Sequence, residues 1–363
     1  AERRDGGIRY APVRSQAHMI DSILIANRGE IAVRIVRACR EMGIRSVVAY
    51  SAADEDSLAV RMADSAIRVG PPSARDSYLN KPSLISAAVL TRCDALHPGV
   101  GFLSENADFA RQVTDAGIIF IGPKSETIGL LGDKVQAKRT ARENGVPVIP
   151  GSTGSVEDGK AALEAAWEMG FPVIIKAAAG GGGKGMRIVR EPEQFEQVLR
   201  MAASEAESAF SDGTVYLEKY LENPRHVEVQ ILADSYGNVV HLGERDCSVQ
   251  EKHQKLVEES PSPVVTPEMR ESMGNDAIRL FKSLGYVGAG TIEFLVVGEE
   301  YYFMEVNARV QVEHPVSELV TGVDIVRDQI RACTGEDLGM SQDDITLREI
   351  GRASCRERVC HRV

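Results

Sequence analysis

The chain has 363 residues, 43% hydrophobic and 26% charged, with a formal net charge of −11. That length suits two or three domains with a sizeable core, and the acidic balance argues against nucleic acid as a partner. No apolar run approaches the roughly 20 residues a membrane helix needs, so a soluble protein is expected, and any phosphate must be held by locally placed cations and backbone amides.

The six cysteines, Cys39, Cys93, Cys247, Cys333, Cys355 and Cys360, are scattered without a C-x-x-C pair. Neither a disulfide framework nor a zinc site is indicated, and a reducing cytosol fits best, ahead of the mitochondrial matrix. Only Cys355, Cys360 and His361 cluster. Residues 1–18 mix Arg3, Arg4, Arg9 and Arg14 with Glu2 and Asp5 and lack a secretory apolar stretch, so they read as an extraneous leader before Met19.

From Ser22 the pattern alternates strand and helix. Residues 22–26 form an apolar run and Asn27-Arg28-Gly29 a polar turn, after which Ile31, Ile35, Ala38 and Met42 recur at helical spacing until Gly43. Strands are expected at 46–50, 95–97 and 117–121, with a helix over 81–90. Strands separated by helices imply a parallel sheet, which places a first α/β domain over 19–121. A helical connector follows (122–147), its longest piece running from Asp133 to Asn144. A small α/β domain over 148–220 then holds helices at 157–169 and 193–209 and strands at 172–177, 186–190 and 214–220. Beyond Leu221 the β-runs lengthen, at 225–234 and 238–246, around the turn Ser235-Tyr236-Gly237.

Between the strands at 172–177 and 186–190 lies Gly180-Gly181-Gly182-Gly183-Lys184-Gly185. A Rossmann loop must open a helix, whereas Met186 to Arg190 alternates like a strand. A phosphate-binding P-loop needs Ser or Thr after the lysine and finds Gly185, and a kinase would also carry H-R-D and D-F-G. What remains is a flap over nucleotide phosphates or a plain surface hairpin. The run of glycines, which lets backbone amides approach an anion, favours the flap.

Residues 291–297 and 301–307 flank the short turn Gly298-Glu299-Glu300. Centred on Glu299, this hairpin sets Glu293 opposite Glu305, with Asn307 on the same face. Two carboxylates and an amide oxygen form an oxygen-ligand site suited to Mg²⁺. The alternation continues through Arg309, Gln311 and Glu313 to Pro315. A half-exposed edge strand would share that pattern, but it leaves the facing like charges unexplained. A second polar cluster at 244–255 is equally compatible with a charged loop and with a site.

At this point Ile25 to Ala32, His97 to Asn106, the glycine loop, Glu218-Lys219-Tyr220-Leu221, Asn223 to Glu228 and Glu305 to Pro315 together resemble the biotin carboxylase family. The resemblance runs from about Met19 to Glu349. It implies an ATP-grasp architecture in which ATP sits between two β-sheets under a glycine-rich lid, after an N-terminal parallel α/β domain. It also implies ATP- and bicarbonate-dependent carboxylation of biotin on a carrier protein through carboxyphosphate. The cofactor implied is Mg²⁺, with Mn²⁺ as a substitute, and the partners are a biotin carrier, a carboxyltransferase and a second copy in a homodimer.

Carried over residue by residue, Lys134 and Lys176 resemble phosphate-binding lysines, and Gly182 and Gly183 the lid glycines. Glu218, Lys219, Tyr220 and Leu221 resemble the adenine segment, and His226 and His253 further nucleotide contacts. Glu293, Glu305 and Asn307 resemble metal ligands. Lys255, Arg309, Gln311, Val312 and Glu313 resemble the bicarbonate site, Glu313 being the base and Arg309 the cation beside the biotin enolate. Other ATP-grasp ligases, such as carbamoyl-phosphate synthetase, share the lid and the metal carboxylates but not the run from Arg309 to Pro315, and an inactive nucleotide-binding fragment is the non-enzymatic alternative.

Three departures stand out. Val100 replaces the tyrosine usual after His97-Pro98-Gly99, and Glu251-Lys252 replaces the usual arginine pair. The family also continues past Glu349 with a further arginine near biotin. The domain over 221–349 is therefore expected to be incomplete, its sheet loosened and biotin carboxylation by this chain negligible. Residues 350–363 resemble no part of the family and read as non-native.

Overall fold

The computed structural model describes residues 20–151, 159–177, 186–210, 212–251 and 254–348. The leader, the glycine loop with Gly182 and Gly183, His253, Glu349 and the tail with Cys355, Cys360 and His361 lie outside the described residues.

The first sheet is parallel, in the order β3-β2-β1-β4-β5, where β1 is Ser22–Ile25, β2 Arg45–Ser51, β3 Ser65–Gly70, β4 Ala95–His97 and β5 Ile119–Phe120. The helix Gly29–Met42 buries Ala32, Ile35, Val36 and Cys39 along one face, the stripe that its 3.6-residue period requires. Gly43 ends it at φ 71°, and the Ile44 amide donates to the Cys39 carbonyl (2.8 Å), the left-handed stop that glycine adopts without a Cβ clash. The helix Lys81–Leu90 starts at Asn80, whose side chain accepts from the Ser83 amide. Two expectations change. Strand β3 carried no signal because it is an edge strand with mostly exposed side chains, and the strand expected over 117–121 shortens to two residues.

Contacts divide the chain into two units, one of residues 1–146, 225–295 and 303–363, the other of 147–224 and 296–302. In the second unit, β6 (Val173–Ala177), β7 (Met186–Val189) and β8 (Val215–Lys219) form an antiparallel sheet in the order β7-β6-β8. The helices Gly159–Met169 and Phe195–Phe210 supply its core, with Ala162, Ala166 and Phe195 against Val173, Ile175 and Leu217.

Another sheet, in the order β11-β10-β9-β12-β13, lies in the first unit except for the 296–302 tip of its last two strands. Its strands are β9 (Arg225–Ala233), β10 (Val239–Glu251), β11 (Gln254–Glu259), β12 (Gly288–Val297) and β13 (Glu300–Asn307). The turn between β9 and β10 closes on Asp234, whose Oδ1 accepts from the Tyr236 and Asn238 amides. The helix Pro267–Ser283 packs on β9 and β10.

Three sequence readings are corrected here. The cluster at 244–255 is strand rather than loop wherever it is described, with Glu244, Arg245 and Asp246 buried. The β12–β13 turn contains two residues, Gly298 and Glu299, and not three. The alternation over Arg309, Gln311 and Glu313 does not prolong the strand, which ends at Asn307, and a helix, His314–Thr321, has Pro315 in its first turn. Proline suits the first turn of a helix because the amide it lacks would have had no partner there. No helix among the described residues is long and apolar enough to cross a membrane.

Candidate active site

The centre of the site is built on β9 and β10. Arg245 lies opposite Glu228, and both are fully buried. Its Nε donates to Glu228 Oε1 (2.6 Å), Nη1 to Gln230 Oε1 and Ser317 Oγ (2.8 Å each), and Nη2 to Gln311 Oε1 (2.6 Å). The other oxygen of Glu228 accepts from Lys255 Nζ at 2.5 Å. Lys255 also reaches Glu313 Oε1 at 2.7 Å and Glu293 Oε1 at 3.0 Å, so one ammonium joins three carboxylates.

Burial opposes charge on both sides of this cluster, and the pairing overrides it. Glu228, buried but between Arg245 and Lys255, is held well below the usual carboxylate range. Lys255 is half-buried, and although that burial opposes its charge, Glu228, Glu293 and Glu313 raise it well above an ordinary lysine. Glu293 is buried too, yet a hydrogen bond from His226 and the charge of Lys255 lower it. Gln250 Nε2 donates to His226 Nδ1 (2.9 Å), which leaves the His226 proton on Nε2 to donate to Glu293 Oε2 at 2.7 Å.

Glu305 on β13 is pushed up by burial and then by the charge of Glu293, and its nearest cation, Lys134 Nζ, stands 3.7 Å away on an exposed side chain. Asn307 donates Nδ2 to Glu293 Oε1 (2.7 Å) and accepts from Arg309 Nη2 at its Oδ1 (3.0 Å). Arg309 is anchored from the first sheet's domain: Glu105 Oε2 accepts its Nε at 2.8 Å while Oε1 takes the Ala308 amide at 2.9 Å. Val312 lies in the turn before the helix and is partly buried.

The donor set fits a hard divalent cation. Glu305, raised by burial and then by the charge of Glu293 and with Lys134 Nζ no nearer than 3.7 Å, is the carboxylate short of positive charge, whereas Glu293 already takes Lys255, His226 and Asn307.

The remaining predicted nucleotide residues lie in the second unit. Lys176 Nζ is bound to Glu218 Oε2 on the neighbouring strand. Lys219 Nζ donates to the Gly170 carbonyl (2.7 Å), the Tyr220 amide to the Pro172 carbonyl (3.1 Å), and Leu221 is partly buried.

Sequence reasoning missed Arg245, Glu105 and a role for Glu228. Counted from the turn pair Ala233↔Val239, Arg245 falls opposite Val227, on the other face from Glu228. The register shifts between His241 and Glu244, beside Gly243 at φ 77°, and that extra residue turns Arg245 toward Glu228. Glu105 is separated from Arg309 by some two hundred residues, so no local pattern announces it. Glu258 was also missed. It is buried, its Oε2 has no partner, and burial followed by Glu313 and Glu228 raises its carboxyl to about 7.

Comparison with known proteins defines the class. The family profile "Biotin carboxylase, N-terminal domain" matches residues 19–128, and "Carbamoyl-phosphate synthase L chain, ATP binding domain" matches 133–341. Biotin carboxylase 1 of Bacillus subtilis is 53% identical over 90% of this chain and 73% of its own length. The crystal structure of a biotin carboxylase–β,γ-ATP complex from Campylobacter jejuni matches with a TM-score of 0.81 and 50% identity, over 91% of this chain and 74% of that one. The biotin carboxylase domain of Hydrogenobacter thermophilus 2-oxoglutarate carboxylase, crystallised with MgADP, ADP and bicarbonate, matches with a TM-score of 0.80 and 48% identity, over 91% and 73%.

The chain belongs to the biotin carboxylase family. It is an ATP-dependent ligase of ATP-grasp architecture. The N-terminal match and the relatives, which are biotin carboxylases, decide against the carbamoyl-phosphate synthetase reading that the second profile alone would leave open.

Proposed function

We propose that Lys255, Arg309, Gln311, Val312 and Glu313 receive bicarbonate and that Glu313 is the base that deprotonates it, in the ATP-dependent carboxylation of biotin. The observation that carries this reading is the Lys255 ammonium, shared by Glu228, Glu293 and Glu313 at 2.5–3.0 Å. A half-buried cation touching a carboxylate base is what an anionic substrate needs if it is to approach that base without prohibitive repulsion.

In this mechanism Glu313 removes the bicarbonate proton as a bicarbonate oxygen attacks the γ-phosphorus of ATP, and ADP leaves as carboxyphosphate forms. Carboxyphosphate breaks down to CO₂ and phosphate, the released phosphate takes the proton of the ureido nitrogen of biotin, and that nitrogen then adds to the CO₂. Arg309, held in one orientation by Glu105 and Asn307, presents a planar guanidinium that stabilises the enolate form of biotin. Lys134 and Lys176 are assigned to the phosphates, and Gly182, Gly183, Glu218 to Leu221, His226 and His253 to the rest of the nucleotide. Glu293, Glu305 and Asn307 would hold Mg²⁺, which when bound supplies charge neutralisation to the phosphate oxygens.

The proposed partners are a biotin carrier, a carboxyltransferase and a second copy of this chain. The proposed compartment is the cytoplasm, which suits the free thiols of Cys39, Cys93, Cys247 and Cys333.

The test is ATP hydrolysis followed with and without bicarbonate. Turnover should require bicarbonate and fall by about a hundredfold or more in Glu313→Gln while ADP still binds. Hydrolysis indifferent to bicarbonate, or undiminished in Glu313→Gln, would overturn the assignment.

A further inference from the structure

We infer that Arg245 is the positioning residue of the bicarbonate pocket: it sets the direction in which Gln311 and Glu228 present their polar atoms to Glu293 and Lys255. The inference rests on the proposed bicarbonate reading and adds to it a residue that touches no substrate.

A side-chain amide can be turned over at little steric cost, so something must decide which end of Gln311 faces the site. Arg245 has only donors. Its Nη2 at 2.6 Å from Gln311 Oε1 therefore locks the oxygen inward and aims Nε2 at Glu293 Oε1, 3.1 Å away. The same guanidinium takes Glu228 Oε1 through Nε, which leaves Oε2 as the atom that binds Lys255. Both consequences converge on one place. Gln311 and Lys255 each contact Glu293 Oε1, and Lys255 also contacts Glu313.

Stability alone is a poor account of this arrangement. A fully buried arginine loses all its hydration, and such ion pairs seldom outperform well-packed apolar side chains. What the arginine provides that an apolar residue cannot is a rigid fork. Its acceptors lie on β9 (Glu228, Gln230), on the loop after β13 (Gln311) and on the helix His314–Thr321 (Ser317). The fork ties the loop bearing Arg309 and Glu313 to the strand bearing Glu228. A lysine reaches one or two of these acceptors and cannot reproduce the fork.

The experiment is bicarbonate-dependent ATP hydrolysis by the full chain, with KM for bicarbonate and for ATP measured separately and ADP binding measured by calorimetry. Arg245→Gln should raise the bicarbonate KM by about tenfold or more and leave the ADP Kd within about threefold, with Arg245→Lys between it and the parent. Because Arg245 acts partly through Gln311, the double variant Arg245→Lys/Gln311→Met should fall well short of the product of the two single effects. A parental bicarbonate KM in Arg245→Lys, equal fold-changes in the KM for ATP and for bicarbonate, or fully multiplicative effects in the double variant would each overturn the inference. Should the Arg245 variants fail to bind ADP, Ser317→Ala decides. It removes one acceptor of the fork and should raise the bicarbonate KM by about threefold at unchanged ADP affinity, and an unchanged KM overturns the inference. Hydrolysis by the parent chain that ignores bicarbonate would instead sink the functional reading itself, and the inference with it.

Discussion

His97 and His314 are buried in opposite tautomers, and lowering the pH should test both at once. His97 Nδ1 accepts the Gly99 amide at 3.0 Å, so its proton is on Nε2. His314 Nδ1 faces the Gln311 carbonyl at 2.6 Å and must donate, which leaves Nε2 bare. The Nε2 of His314 has no partner and that of His97 is opposed only by Gln329, and burial lowers both rings to about 3. An unfolded histidine titrates near 6.5, so as pH falls below that value the unfolded chain takes up protons that the folded chain refuses. The stability they contribute is therefore present above about pH 6.5 and is lost between about 6.5 and 3. Going from about pH 7.5 to about 5.5 removes about 1.4 kcal/mol per ring, or about 3 kcal/mol for the two. Against a typical net stability of about 5–15 kcal/mol, urea titrations at the two pH values should resolve this readily. His226 is shifted upward and acts in the opposite sense, while His241 is lowered and adds to the loss. The decisive quantity is therefore the difference between the parent and a His97→Asn/His314→Gln variant. The variant should lose about 3 kcal/mol less than the parent over the same interval. An equal loss in both proteins refutes the buried neutral pair.

Further tests address the metal and the packing around the site. Glu305→Gln should depress Mg²⁺-dependent nucleotide turnover by about tenfold or more and barely change nucleotide binding without Mg²⁺; equal losses in the two assays would remove Glu305 from the metal ligands. Lys255→Met leaves Glu228, Glu293 and Glu313 without their shared cation and should cost about 3–5 kcal/mol in urea unfolding at neutral pH, a loss below about 1 kcal/mol being incompatible with the contacts described. Gly290→Ala places a Cβ 2.6 Å from the Phe281 ring and 2.8 Å from the Tyr286 hydroxyl, inside a buried aromatic pair. Overpacking there should lower stability by about 1–3 kcal/mol, measured by the denaturation midpoint.

Much of the fold was legible because local chemistry and tertiary packing ask for the same residues. The stripe from Ile35 to Cys39, the stop at Gly43 and the caps at Asn80 and Asp133 are set by neighbours in sequence, and each helix forms where the pattern puts it. Glu293, Glu305 and Asn307 stand out from the sequence because like charges facing each other on a β-hairpin are costly without a cation, whereas Arg309 and Glu313 lie beyond the hairpin and are reached through the family resemblance. Even Val100 conforms: its side chain packs on the core, and its contribution to the turn is a carbonyl that accepts from Asn27 Nδ2 at 2.8 Å, which any residue supplies.

What only the tertiary structure decided is which of these charges meet. A shift of one register position beside Gly243 turns Arg245 inward, and no periodicity in the sequence marks it. Glu105, in the loop before the helix Ala107–Asp115, meets Arg309 in the loop after β13, and Lys134, on the helix Lys134–Glu143, faces Glu305 on β13. Ion pairs of this kind carry no sequence signature, because each partner alone is an ordinary polar residue on an ordinary element. The pairs of Glu228 with Arg245 and Lys255 draw their strength from burial, which removes the water that would otherwise screen them, and burial belongs to the packed chain rather than to any segment of it.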